Sequence, residues 1–415
     1  MSRIEVLIQQ LCPQGVEIFS LGELGVFENI GVDKKTNAGE KKVMLLNFMD
    51  VMRNKHIHKN ILSMEVSASD SKIEKCDIKQ HDLFITPTSE TRDEIGFAAV
   101  AIEDISDSVY SYHVMRYRLN NKNAVTPYFI RYLFESDDLR IQIYRASKGL
   151  TRYGLSAKDF AKLTIPFPPL DIQEEIVKTL DLFTKLEAEL EAELEARKTQ
   201  YTYYRDALLS FEGKEVEWKT LGDVGEFIRG NGLQKSDFTE SGIGCIHYGQ
   251  IYTYYGTFTD KTKSFVSPEL ANKLKKAKKG DLIITNTSEN VEDVCKTVAW
   301  LGDEEIVTGG HATIFKHKQN PKYLAYYTQT QMFFIEKKKY AQGAKVTDVS
   351  AKNLAKIIVP IPSLKEQERI VAILDKLDAL VNNITIGLPA EIQARRKQYE
   401  YYRNRLLTFK ELANG

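Results

Sequence analysis

Two stretches of this sequence carry side chains suited to contacting a polyanion. Lys261 to Lys279 holds seven lysines and one acid, and it runs into Gly280-Asp-Leu-Ile-Ile-Thr-Asn-Thr-Ser-Glu289. The matching stretch, His81-Asp-Leu-Phe-Ile-Thr-Pro-Thr-Ser-Glu90, lies between a cluster of Arg53, Lys55, His56, His58 and Lys59 and a later Arg92. Lysine beside a phosphate backbone gains free energy by releasing condensed counterions, which reads no sequence. Base edges are read by Ser, Thr, Asn, Gln and Arg. The candidate contacts to nucleic acid are therefore Arg53, Lys55, Thr88, Ser89, Arg92, Lys148 and Arg152 in the first half of the chain. In the second half they are Lys276, Lys278, Asn286, Thr287, Ser288, Asn290 and Lys345. An ordinary solvated loop has the same composition, so both readings stay open.

Bond-making chemistry would need convergent reactive groups, and the sequence offers no such pattern. It has no phosphate loop with a following Lys-Ser/Thr, no GxSxG elbow and no HExxH pair. The FPPL at 167–170 lacks the Asn or Asp and the aromatic of an amino-methyltransferase motif, and its counterpart reads IPSL. It reads better as a strand-to-helix junction. His113 and His311 share one repeat position, but without a Cys or acidic cluster they read as structural. The four cysteines, Cys12, Cys76, Cys245 and Cys295, are widely spaced, which argues against zinc and against a disulfide framework and suits a reducing cytoplasm. No metal ligand, catalytic residue or cofactor-binding residue is assigned.

The elements that would position these residues occur twice. Residues 165–211 open IPFPPLDIQEEIV and close QYTYYRDALLSF; residues 359–409 open VPIPSLKEQERIV and close QYEYYRNRLLTF, after a four-residue insertion. Leu170, Ile176, Val177, Leu180, Phe183, Leu186, Leu190 and Leu194 keep an apolar stripe at helical spacing. Ile370, Val371, Leu374, Leu377, Val381, Ile384 and Leu388 do the same, and Gly387-Leu388-Pro389 should kink or split that helix. Pro166/Pro168 and Pro360/Pro362 keep the preceding strands from running into the helices. Each arm follows a mixed stretch of short apolar β-forming runs (VMLLNFM, DLFIT, FAAVAI, DLIIT, TVAWL) and a Pro-initiated aromatic segment at Pro127 or Pro321.

At 415 residues, two or three cores are expected. The expected organisation is α+β: mixed domains at 1–164 and 214–358, with helical arms at 165–213 and 359–415. One helix cannot bury its stripe alone, so the two arms should pair antiparallel, as a coiled coil with pseudo-twofold symmetry. Opposite charge surpluses suit that pairing, and solvated helix faces would show them equally: 171–211 carries ten acids and five bases, 365–410 six acids and nine bases. The arm ends either pack on the neighbouring domain or dock another subunit, since exposed Tyr and Arg favour interfaces. The arm and interface candidates are Gln173, Ile176, Leu180, Leu190, Tyr201, Arg205, Gln367, Ile370, Leu374, Tyr399 and Arg403. No apolar run reaches membrane-spanning length, so no membrane partner is expected. Net charge is zero, so any role with DNA would rest on local patches or on partner subunits.

The alternation of a variable mixed domain with an arm opening IPxPxLxxQExIV and closing QYxYYRxxLL resembles the specificity subunit of type I restriction–modification systems. The resemblance implies two target-recognition domains, each reading one half of an interrupted double-stranded DNA site. It implies arms that set the spacer and dock two modification (adenine methyltransferase) subunits, with restriction subunits outside. It also implies a non-catalytic cytoplasmic chain, with S-adenosylmethionine, ATP and Mg2+ held on the partners. The competing reading is a helical scaffold without DNA readout.

Overall fold

The computed structural model describes residues 2–121, 124–343, 345–383 and 385–412, so Ile384 of the second stripe lies outside the described residues. The chain forms two compact units. One comprises Met1–Ala188 with Ala394–Gly415, the other Glu189–Gln393.

In the first unit, a five-stranded sheet runs in the order Gly25–Glu28, Met115–Leu119, Leu83–Ile85, Ala98–Ala101, His56–Ile57. Its pairs are antiparallel except the last, which is parallel. Leu83–Ile85 and Ala98–Ala101 are apolar at every position because both faces are covered, the pattern of a doubly buried strand. Leu83, Ile85 and Val100 point to a core with Phe129, Ile130, Leu133 and Ile143. Phe84, Ala99 and Ala101 point the other way, to Leu45, Val51 and Val109 around a second sheet, Met64–Ala68, Lys41–Leu46, Ser108–Tyr110.

The second unit repeats this order with Gly225–Arg229, Ala312–His317, Leu282–Thr285, Thr297–Trp300 and Phe258–Thr259. Its smaller sheet gains a fourth strand, Lys275–Ala277. The alternation recurs: Leu282 and Ile284 face the helices, Ile283 faces the smaller sheet.

Each mixed region is tied to its arm by a short antiparallel ladder, Glu17–Ser20 on Thr164–Phe167 and Glu217–Thr220 on Ile358–Ile361. The first arm is one helix, Leu170–Ser210; the second divides into Leu364–Asn382 and Leu388–Leu407. Gly387 sits at that division, where a Cβ would fall 2.3 Å from the Ala379 carbonyl oxygen, so only glycine fits. Gln173 is fully buried and accepts from the Thr126 N–H at 3.0 Å while donating to the Pro168 and Ala124 carbonyls at 2.8 and 3.2 Å. Gln367 repeats this, accepting from the Asn320 N–H at 2.9 Å and donating to the Pro362 carbonyl at 2.9 Å.

Within the first unit the distal part of the second arm runs antiparallel to the start of the first. Phe183 stacks on Tyr402 with centroids 5.6 Å apart, Arg396 bonds Glu187 at 2.6 Å, and Leu407 joins Ile172, Ile176 and Leu180 in the core. In the second unit, Tyr201, Leu209 and Phe211 of the first arm pack with Ile370, Val371 and Leu374. The opening part of each stripe is thus covered by the end of the other arm.

Candidate nucleic-acid interface

In each unit the strand carrying the DLFIT or DLIIT sequence leads into a loop that is zipped to a hairpin from much later in the chain. Thr88–Ser89 pairs with Tyr153–Gly154, and Thr287–Ser288 with Thr347–Asp348. The hairpins close on themselves: the Lys148 and Gly154 backbones exchange bonds at 3.1 and 2.9 Å, those of Gln342 and Asp348 at 3.0 and 2.8 Å. Gly149 and Gly343 take positive φ, +142° and +110°, and a Cβ there would stand 1.9 Å from the Arg152 oxygen or 2.0 Å from the Val346 oxygen. Glycine is required at both turns.

Around the first of these loops the structure gathers Thr88, Arg92, Lys148 and Arg152. Arg152 donates to the Thr88 hydroxyl at 3.4 Å, and Lys148 and Arg152 are exposed. Leu150 at the turn is 93% exposed. Ser89 is buried and donates to the Glu94 carboxylate, so it braces the loop from inside. Burial and the nearby Arg152 charge lower the pKa of His113.

Around the second loop, Thr287, Ser288 and Asn290 line a hollow of about 540 Å³ with Tyr248, Tyr252 and His311. The Thr287 hydroxyl and His311 Nδ1 lie 3.1 Å apart, and the His311 ring packs 4.8 Å from that of Tyr248. Tyr252 donates to the Thr285 hydroxyl at 2.7 Å. Lys345 is exposed beside Val346, which lines the same hollow. These are donors, acceptors and ring faces, the groups that recognise a planar polar ligand.

Several candidates are placed elsewhere. Asn286 is fully buried, donating to the Val349 carbonyl at 2.8 Å and accepting from Thr313 at 2.7 Å, so it is a clamp within the fold. Lys276 and Lys278 approach Glu305 at 3.7 and 3.1 Å, and Lys279 meets Asp303 at 2.7 Å. The lysine run read as a basic flank is thus locally offset by acids from later in the chain. Lys55 turns to the arm, within 3.3 Å of the Thr184 hydroxyl and over the Tyr399 ring, and burial lowers its pKa. Arg53 lines a separate hollow of about 420 Å³ with Lys55, Arg140 and Arg403.

The arm candidates also divide. Gln173, Ile176, Leu180, Tyr201, Gln367, Ile370 and Leu374 are buried within their own units, where they serve the packing of the arms. Leu190 is partly covered, Arg205 bonds Asp206 at 2.9 Å, Arg403 approaches Asp137 at 3.8 Å, and Tyr399 donates to Glu135 at 2.7 Å. Exposed apolar and aromatic arm residues include Leu182, Leu186, Tyr203, Tyr204 and Tyr401. Sequence reasoning also missed Tyr144, Tyr153, Tyr248 and Tyr252. The aromatic run Tyr248 to Tyr255 after a strand was the available signal.

Among the described residues no group of three or more His, Cys, Asp or Glu could hold a metal ion, and no helix is long and apolar enough to cross a membrane. The model of the type I restriction modification DNA specificity domain matches residues 13–196 and again 213–394. The Escherichia coli EcoR124I/EcoR124II specificity subunit is 37% identical over 260 residues, which is 60% of this chain and 63% of that one. The chain thus aligns with under two thirds of that relative's length. Solved chains that share the fold include the following two. One, described as the basis underlying complex assembly and conformational transition of the type I R-M system, has a TM-score of 0.65 at 18% identity and covers 96% of this chain and 98% of its own. The HsdS subunit from Thermoanaerobacter tengcongensis has a TM-score of 0.51 at 18% identity, covering 96% of each. With the family model matched twice over most of the chain and the fold shared, this chain belongs to the type I restriction–modification DNA specificity family.

Proposed function

We propose that this chain is the sequence-reading subunit of a type I restriction–modification complex. The mixed regions 1–164 and 214–358 each read one half of an interrupted DNA site, and the arms 165–213 and 359–415 fix the spacer. The observation that carries this reading is a shared frame with different contents. Both units have the same sheet order and the same glycine-closed hairpin zipped to a Thr-Ser loop, yet one loop is furnished with Arg92, Arg152 and Leu150 and the other with Tyr248, His311 and Asn290. Two readers built alike but differing in side chains suit a target with two unlike halves.

The exposed arm residues Leu186, Tyr203, Tyr204 and Tyr401 are the surface offered to two modification subunits, with restriction subunits joining outside. Methyl transfer with S-adenosylmethionine and ATP- and Mg2+-dependent cleavage belong to those partners, in the cytoplasm. The experiment is replacement of residues 1–160 by another such domain, followed by mapping of methylated adenines. One half-site should change and the other stay; a change in both halves contradicts the reading, as does no sequence-dependent methylation at all.

A further inference from the structure

We propose that Arg92 is a specificity-determining residue that reads a guanine in the half-site contacted by the first mixed region; this rests on the function proposed above. The Arg92 guanidinium packs against two rings, 5.0 Å from the centroid of Tyr144 and 4.8 Å from that of Tyr153. A guanidinium held by two cation–π contacts keeps its planar N–H fork for recognition, the geometry that suits a planar two-acceptor partner. Its Nε is buried without a hydrogen-bond partner. None of the ion pairs of the described residues involves Arg92, and the nearby Glu94 carboxylate is engaged by Ser89.

The loop that bears Arg92 is held rigid from two sides. Arg140, one helical turn before Tyr144 on the helix Asp137–Ala146, donates to the Asp93 and Ile95 carbonyls. The Glu94 carbonyl accepts from the Thr86 hydroxyl at 3.0 Å. Tyr153 comes from the hairpin whose strand pairs with Ser89. Little rotamer freedom remains for binding to remove, and among the described residues the cation has no ion pair to give up. In duplex DNA the planar two-acceptor partner of a guanidinium is the O6/N7 edge of guanine in the major groove.

None of the three residues recurs. At the corresponding positions the second unit has Val291, Lys338 and Thr347, although the frame around them is retained. The clamp therefore belongs to what distinguishes the two readers. Its alternative use, a phosphate contact, would supply charge without discrimination.

The test uses the whole complex: wild-type, R92Q, R92K and Y153L chains, each coexpressed with the modification subunit in a host whose methylated adenines are then mapped. R92Q should relax one position of one half-site from guanine, lowering discrimination there about 10- to 100-fold, while the other half-site stays unchanged. R92K keeps the charge but loses the fork and should relax the same position, as should Y153L to a smaller degree. An unchanged motif overturns the proposal. So does a uniform fall in methylation at all sites, which is the signature of a phosphate contact. If R92Q abolishes all methylation, R92K decides: relaxation at one position supports the assignment and an unchanged motif overturns it. A wild-type complex that writes no two-part motif would overturn the function on which this inference rests, and a motif with R92Q indistinguishable from wild type would overturn this inference alone.

Discussion

Lys337 and Arg140 hold the same pair of backbone carbonyls in their respective units from helix positions one turn apart. Lys337 Nζ donates to the Glu292 and Val294 carbonyls, both at 2.7 Å, and Arg140 donates to those of Asp93 and Ile95. The two pairs of acceptors are equivalent in the repeat, while Lys337 corresponds to Ile143 and Arg140 to Phe334. The loop geometry is thus kept although the cation that keeps it has moved. K337M should leave the buried Val294 carbonyl and the part-buried Glu292 carbonyl without this donor and cost about 1–3 kcal/mol. Urea unfolding measures that loss, and faster amide exchange confined to residues 291–295 would locate it.

The buried glutamines carry the join between each mixed region and its arm. Q173L deprives the Thr126 N–H and two carbonyls of their partner, and Q367L does the same at Asn320 and Pro362. Each should destabilise by about 2–3 kcal/mol, because a buried group left unsatisfied bears its full desolvation cost. A leucine variant that melts with the wild type would show the join to be incidental.

Acid should weaken the second unit through His317. Burial lowers its pKa from the ordinary 6.5 to about 4, its Nδ1 accepts from the Gln319 N–H at 3.2 Å, and its Nε2 is buried without a partner. The unfolded chain therefore holds more protons than the folded one between about pH 4 and 6.5, so this contribution is fully present above 6.5 and is lost as pH falls towards 4. The loss is on the order of 3 kcal/mol. H317F, which can still pack on Phe315, should flatten the pH dependence of the melting temperature in that window.

A fragment comprising residues 1–211 should self-associate. It lacks 394–412, which cover Ile172, Ile176, Leu180 and Phe183 in the first unit, yet it carries the equivalent tail with Tyr201, Leu209 and Phe211. A helix cannot cover its own stripe, so a second copy's tail should do so. Light scattering should report a dimer for the fragment; a stable monomer would show that the cap is dispensable.

Lengthening the first arm should move the half-sites apart without altering either. One more Glu-Ala-Glu-Leu after Leu190 adds about 6 Å of helix. The methylated motif should keep both halves and change its gap, and an unchanged gap would show that the arm sets no distance.

Much of this architecture is legible in the residues because its signals are local. Leu83 to Ile85 and Leu282 to Thr285 read as strands from their apolar runs, the stripe from Leu170 onward reads as a helix, and Gly387 announces the break that the structure places there. The surfaces are not legible, because their meaning depends on partners distant in sequence. Seven lysines from Lys261 to Lys279 look like a cationic patch until Asp303 and Glu305 fold against three of them. Asn286 and Ser89 look like loop donors, but Thr313 and Glu94 hold them inside. Arg92 meets Tyr144 and Tyr153 only through tertiary packing.

The central claim is that the two mixed regions read two halves of one DNA site. A genome-wide map of methylated adenine in the host, with and without this gene, tests it most directly. The account predicts loss of one two-part motif interrupted by a fixed unspecified gap. An identical map in both strains, from a chain that co-purifies with an active methyltransferase, would contradict it.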